Sequence, residues 1–550
     1  MLKTKLLHYE MLSAQKVSLN FAPGLLVVTD VFAVLKDYNH MNIKPLLKST
    51  ILSLLCIALN TIVALSQVNA PLINYTLPKN DDHYKCVKDY VEDIPDTDYH
   101  HPSAAAIEAF RDIKYGVRIH WGLYSIDGRF NASWPFLTLS NKKKQTYQEL
   151  YKTWNPTGFN AEEWMQLFSE NGIKMFAFTS MHHEGFSMFD TKARVKKRVN
   201  WIAQGGPKIE DCDLAYSIME TPFHRDIIKE LCDAAHKHGV KIDLYFSHPN
   251  WYNADFRPYN YHPLQIPDQK VHPELYGDAP SKKPVYVSDP TDEEEARMMA
   301  FHRQQLTDLL TNYGKIDMIC LDQWLGKKVW PQMRQEMKDL RKIQPDVMFR
   351  ARGIGNYGDY YTPEGFIPGN QENTDMPWFV IYPYGKSFSY LKTDHFKGVS
   401  WIINSLTDIV AKGGNFMVGI GPDGMGRFDP EVIQSLKEAG KWLKVNGEAI
   451  YSTRPREADL WKEGDAIRYT RTKDRNTVYA ISRAWPGKQL RLKSVEPASG
   501  TEIYLLGYKN PLTWIYDKTT GLEISLPADL LEASSRPCKF AWSFKITCND

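Results

Sequence analysis

The sequence predicts a (β/α)8-like (TIM-type) catalytic barrel followed by a small C-terminal antiparallel β-sandwich, and three observations carry that prediction. First, one pattern recurs: SENGIKMFAFTSMHH around Gly172, KHGVKIDLYFSH around Gly239 and NYGKIDMICLDQW around Gly314. Each reads as helix end, glycine stop, buried strand and polar exit, which is the αβ unit of a parallel sheet. Second, His182, His183, Tyr245 and Asp322 stand at the exits of those strands. That is the face on which such barrels carry their sites. Third, beyond Tyr451 the pattern changes to short alternating runs (AIRYTRT, TVYAISRAW, QLRLKSV, TEIYLLG, AWSFKIT) separated by turn residues.

The elements follow in order. Residues 1–40 precede a run, from Met41, with Lys44 and Lys48, an apolar stretch Ile51 to Leu65 and small residues near Ser66 and Ala70. This is the order of a secretory signal peptide, expected over 41–70, with translation starting at Met41 and residues 1–40 an upstream extension. The run is too short and too interrupted for a membrane span. The mature protein is therefore expected in the periplasm or outside the cell. Residues 71–104 form a polar lead-in. The barrel is expected over 105–454: helix Ala104 to Lys114, strand Tyr115 to Trp121, helix Ala161 to Asn171, and a helix opening at Thr221 and Pro222 and running to His238. A loop over 249–290, rich in Pro, Tyr and Asn, has the length of a lid or binding wall. Helix Asp292 to Tyr313 then leads to the strand ending at Asp322, followed by helix Pro331 to Ile343 and strand Val347 to Arg352. Helix Ser400 to Lys412, strand Asn415 to Ile420 and helix Pro430 to Val445 close the unit. Residues 455–550 make the sandwich.

Composition excludes several function classes. Sixty-seven basic residues stand against 65 acidic ones, so no global field attracts nucleic acid or an anionic membrane surface. The seven cysteines show no CxxC or zinc-finger spacing. Gly419, Gly421 and Gly424 spell GxGxxG, but Pro422 intrudes and the next helix begins too late to cradle a pyrophosphate, so the stretch is a turn. His182 and His183 invite a metal, yet neighbours in an extended segment point to opposite sides. With no HExxH and no cysteine cluster, no metal is expected. No GxSxG elbow supports acyl-enzyme chemistry.

The carboxylates remain: Asp322 at one strand exit, Glu364 and Glu372 in a later one, and Arg352 between. Ringed by His, Tyr and Trp, such a set suits glycoside hydrolysis, with one acid ionised and another protonated. Arg352 near Asp322 favours the ionised form. From pattern alone, a strand-end Asp is as often a cap or a salt-bridge partner as a nucleophile.

Five stretches resemble the α-L-fucosidases of glycoside hydrolase family 29. They are KYGVRIHWGLYS (114–125), KMFAFTSMHHEGFSMFDTK (174–192), NYGKIDMICLDQW (312–324), GDYYTPE (358–364) and DIVAKGGNFMVGIGPDGMGRFDPEVIQSLKEAGKWLKVNGEAIYST (408–453). The resemblance covers about 105–455 and implies a retaining exo-glycosidase that needs no cofactor. By motif it implies Asp322 as nucleophile, Glu364 as acid/base and Arg352 as the strand-end arginine. It further implies that His120, His182, His183 and Tyr245 (or Phe246) hold sugar hydroxyls, with Trp134 the tryptophan of the family's Glu-Trp pair. There are departures. Leu321 and Gln323 flank Asp322, Ser133 replaces the Glu before Trp134, and Gln371 precedes Glu372, which is the runner-up acid/base. The wall against the sugar's C6 methyl is altered, with Trp324 and Trp378 as substitutes. The implied partner is a fucosylated or L-galactosylated oligosaccharide. An exo-α-L-galactosidase acting on a polysaccharide is thus one alternative. A catalytically inactive carbohydrate-binding barrel and a metal-dependent barrel hydrolase are the others.

Overall fold

The computed structural model describes residues 75–78, 81–129, 131–265, 289–363 and 374–548. The upstream extension, the signal peptide, residues 266–288 of the long loop, Glu364 and Glu372 lie outside the described residues.

Seven parallel strands among the described residues curl into a barrel. They are β1 (Tyr115–Ile119), β2 (Met175–Met181), β5 (Lys241–Ser247), β6 (Met318–Asp322), β7 (Met348–Phe349), β8 (Phe379–Pro383) and β9 (Asn415–Ile420). Between β2 and β5 the chain inserts an antiparallel hairpin, β3 (Val195–Asn200) with β4 (Lys208–Leu214), which the sequence reading did not anticipate. The barrel order is β7-β6-β5-β2-β1-β9-β8. Single-residue parallel bridges, Arg350 to Tyr360 and Tyr361 to Trp378, carry the sheet from β7 round to β8. Residues 360–361 thus stand in for an eighth strand. The strands are buried on both faces, as parallel sheets require: every residue of β1, β2, β6 and β9 is buried.

The surrounding helices are α1 (Ala104–Arg111), α2 (Ala161–Glu170), α3 (Ile227–His238), α4 (Asp292–Thr311), α5 (Trp330–Ile343), α6 (Val399–Ala411) and α7 (Pro430–Asn446). Two boundaries differ from expectation. α3 is capped by the Asp226 carboxylate, which accepts from the Lys229 N–H at 2.9 Å, rather than by Thr221. Pro222 sits in a turn, because His224 takes a left-handed φ of 46° that no helix admits. α1 stops at Arg111, ahead of the left-handed Lys114 (φ 60°). α4 opens as expected for its sequence, with a capping box between Thr291 and Glu294.

After the barrel, a five-stranded and a three-stranded antiparallel sheet enclose their own core of Tyr469, Val478, Leu492, Ile503, Leu522, Ile524 and Phe544. This sandwich is tied to the barrel's helices: Trp442 Nε1 donates to the Ala541 carbonyl at 2.7 Å and Arg468 Nε to Asp408 at 2.5 Å. No helix among the described residues is long and apolar enough to cross a membrane.

Candidate active site

Asp322 is the last residue of β6, and burial of the four apolar residues before it fixes where its carboxylate emerges. Arg352 Nη1 donates to Oδ1 at 2.8 Å and Arg350 Nη1 to the same oxygen at 3.2 Å. The Tyr245 hydroxyl donates to Oδ2 at 2.6 Å, and His183 Nε2 lies 3.5 Å from it. Burial alone raises a carboxyl pKa. Here Arg352, the hydrogen bond from His183 and Arg350 outweigh it and hold Asp322 well below the usual range. An acid ionised at every physiological pH is what a nucleophile needs.

Beneath it lies a charged layer that no local sequence pattern announces. Arg118 of β1 stands 3.7 Å from Asp243 of β5, both sealed inside the barrel, with its guanidinium 4.5 Å from the Tyr245 ring centroid. Burial pushes Asp243 up to about 6 against the pull of Arg118 and Arg350. Burial, reinforced by the charge of Asp322, also drives the Tyr245 phenol well above its ordinary value, so it remains a donor.

The other expected residues gather at the same strand tips. His120 follows β1, and its ring lies 6.0 Å from that of His182, 6.2 Å from Tyr245 and 5.1 Å from Phe388. The His182 ring stacks on Tyr245 at 5.3 Å and meets His183 edge-on at 4.7 Å. A register shift near the end of β2 lets the two neighbouring imidazoles converge. Burial, together with Arg118 near His120 and His183 near His182, holds His120 and His182 well below the usual histidine range, so both are neutral. Trp134 packs edge-on against His183 (4.7 Å), Trp251 (5.6 Å) and Tyr261 (6.4 Å), and Tyr261 in turn against Trp324 (5.7 Å). These rings form one aromatic wall. Phe246 points away, its ring against His302. Trp378 does not line the wall: its ring packs on Gly414, at the start of β8 and β9 rather than at strand tips. Buried around Asp322, His120 Nδ1, His183 Nδ1 and Trp251 Nε1 have no hydrogen-bond partner among the described residues. Such groups cost about 1–3 kcal/mol each unless a ligand satisfies them, and sugar hydroxyls are suited to do so. No group of three or more His, Cys, Asp or Glu residues among the described residues could hold a metal ion.

The Ser133 position has its own chemistry. Ser133 Oγ is 2.5 Å from His182 Nδ1, and Glu184 Oε2 is 3.7 Å from the same nitrogen. Burial pushes the Glu184 carboxyl up to about 8, so it is a neutral acid at pH 7. With the serine proton donated to Nδ1, His182 carries its own proton on Nε2 as a donor. The unfolded chain releases the Glu184 proton near 4.5, the ordinary value for a glutamate, the folded one only near 8. Between those values the native state binds the extra proton, so this group's contribution to stability is complete below about pH 4.5 and lost as pH rises through 8. Glu184→Gln is therefore expected to flatten the decline of melting temperature between pH 5 and pH 8.5 by a few degrees. Parallel melting curves for the two proteins would show an ionised Glu184.

Sequence reasoning missed Arg350, Trp251 and Glu184. Arg350 was within reach: in the strand-end stretch FRAR it shares a side with Arg352, two residues on.

Comparison with known proteins agrees with this geometry. A family model described as alpha-L-fucosidase matches residues 95–448, and one described as alpha-L-fucosidase C-terminal domain matches residues 462–547. Human tissue α-L-fucosidase is 30% identical over 467 residues, covering 80% of this chain and 88% of that protein. Human plasma α-L-fucosidase is 27% identical over 465 residues, covering 80% and 89%. Among solved structures, α-L-fucosidase isoenzyme 1 from Paenibacillus thiaminolyticus has a TM-score of 0.62 at 23% identity, covering 81% of this chain and 99% of its own. A family 29 α-L-fucosidase from Bacteroides thetaiotaomicron, trapped as a covalent intermediate with 2-fluoro-fucosyl fluoride, has a TM-score of 0.63 at 23% identity, covering 81% and 97%. At that identity the structural likenesses speak to the fold. With the barrel and the sandwich each matched by its own family model, the chain belongs to the α-L-fucosidase family of glycoside hydrolases.

Proposed function

We propose that the protein is an exported, retaining exo-α-L-fucosidase that removes terminal α-L-fucosyl residues from oligosaccharides or glycans. The observation that carries this reading is Asp322, buried at a strand tip, ionised by two arginines and in contact with Tyr245 and His183. In this mechanism Asp322 attacks the anomeric carbon, displacing the aglycone, whose oxygen takes a proton from Glu364. Glu364, assigned by its GDYYTPE motif, then takes a proton from water as the water opens the glycosyl-enzyme ester. Neutral His120 and His182, with His183 and Trp134, hold the sugar hydroxyls and ring. Export rests on the signal-like run over 41–70, and a native N-terminus upstream of Met41 would remove that support.

The test sets aryl α-L-fucoside beside aryl α-L-galactoside, with the first-formed anomer followed by NMR. Release of fucose as the α anomer is expected. An apolar pocket rejects an added hydroxyl by only about a hundredfold, so the galactoside is expected to be a slow substrate. A preference for the galactoside would change the glycone. First release of the β anomer would end the double-displacement mechanism.

A further inference from the structure

Behind the nucleophile runs a chain of buried polar groups that the proposed mechanism does not use. Glu336 of α5 places Oε1 2.8 Å from His302 Nδ1 on α4. His302 Nε2 is 3.0 Å from His248 Nδ1, just past β5, and His248 Nε2 is 3.3 Å from the carbonyl of Arg352. His248 and His302 are fully buried and Glu336 is 2% exposed. The backbone N–H of His248 also donates to the carbonyl of Asp322 at 3.0 Å. His248 therefore spans the backbones of both residues whose side chains form the ion pair of the site. The fit is close: a Cβ on Gly353, whose φ is 78°, would come within 3.0 Å of the His248 ring and 2.6 Å of the Gln323 carbonyl.

We propose that Glu336, His302 and His248 form a positioning array of zero net charge that holds Arg352 in register with Asp322. Proton counting gives the charge. Three contacts join Glu336 to the Arg352 carbonyl, and each needs one proton. Three protons can be placed in two ways: ionised Glu336 with one imidazolium and one imidazole, or protonated Glu336 with two neutral imidazoles. Both sum to zero. With two protons, one contact sets lone pair against lone pair. With four, a buried cation is left uncompensated. Burial, then His302, hold His248 down to about 3, so that ring resists a second proton. His248 Nε2–H then donates to the Arg352 carbonyl and pins it. These are positioning residues, since none touches Asp322 through its side chain.

The inference rests on the fucosidase reading for its kinetic assay only. Glu336→Gln keeps an amide N–H for His302 Nδ1 and so supplies the same three protons; Glu336→Leu removes the partner. With Glu336→Leu, kcat on aryl α-L-fucoside is expected to fall at least about tenfold with KM nearly unchanged. The acid limb of kcat/KM is expected to move up by about one pH unit, because Asp322 loses part of Arg352. The other groups facing Asp322 (Arg350, His183, Tyr245, and His120 nearby) are unchanged in the variant. Glu336→Gln is expected to restore the limb and most of kcat. An unmoved limb in Glu336→Leu, or a Glu336→Gln enzyme as damaged as Glu336→Leu, overturns the proposal. Should Glu336→Leu not fold, Glu336→Asp, with the same charge and shorter reach, must shift the limb in the same direction, and an unmoved limb there is equally fatal. An activity-independent readout covers the case of a wild-type enzyme silent on fucoside. In 15N-histidine-labelled protein, protected imidazole N–H signals are expected to stay unchanged from pH 5 to pH 9 and to be lost in Glu336→Leu. Signals that titrate across that range in the wild type overturn the array.

Discussion

Asp322→Asn is expected to lose on the order of 10⁴-fold in kcat on aryl α-L-fucoside while melting within a few degrees of the wild type. The amide keeps an oxygen for Arg352 and turns an NH2 towards the Tyr245 hydroxyl, which must then accept instead of donate, and it cannot attack an anomeric carbon, so the fold survives and the chemistry does not. Asp322→Ala opens space as well. Added azide is expected to recover part of its turnover on an activated aryl fucoside, giving the β-L-fucosyl azide, because a small anion can then attack from the face Asp322 used. Turnover within tenfold of the wild type in Asp322→Asn would remove this residue from the mechanism. Labelling of any other peptide by a 2-fluoro-fucosyl fluoride would do the same.

The second large effect is expected at Arg352. Breaking a buried ion pair by removing one partner costs about 3–5 kcal/mol, because the other charge stays buried. Applied to transition-state stabilisation, Arg352→Met is expected to lower kcat/KM by about 10²- to 10⁴-fold. Its pH behaviour separates charge from shape. In the wild type the carboxyl of Asp322 is held well below its unfolded value. The stability it contributes is therefore present above the ordinary carboxylate range and lost only as pH falls through the lower, native value. Without Arg352 the burial that opposes ionisation has less against it, and Arg350 and His183 remain. The native pKa climbs, the acid limb of kcat/KM moves upward, and stability no longer holds as firmly between pH 4 and pH 6. A variant with reduced activity but an unmoved acid limb would show that Arg352 acts through packing alone.

Much of this was legible in the sequence because the barrel repeats one local rule. The glycine stops at Gly172, Gly239 and Gly314 all have positive φ, and the apolar run after each is a buried strand. Strand exits then named Asp322, His182, His183 and Tyr245, which the structure brings together. What stayed hidden depends on long-range pairing or on burial. The closure of the barrel through Tyr360 and Tyr361 rests on single bridges, which leave no periodic signal. Asp243 and Arg118 sit at interior positions of otherwise apolar strands, and only their partnership explains them. Glu184 follows two conspicuous histidines, yet its neutral state comes from an enclosure no local pattern encodes. Trp378 misled for the opposite reason: an aromatic offered for the wall against the sugar's C6 methyl packs on Gly414 at the start of the strands.

The charged layer under Asp322 also bears on the second half of the proposed reaction. Arg118, Arg350 and Arg352 face Asp243 and Asp322 inside one barrel. Once Asp322 is esterified its negative charge is gone, and three guanidiniums, already one ahead of the two carboxylates, face Asp243 alone. Expelling the carboxylate relieves that added surplus, so the field that makes Asp322 a feeble base makes it a good nucleofuge. The glycosyl ester is accordingly expected to be short-lived, with its formation rather than its breakdown limiting turnover on poor leaving groups.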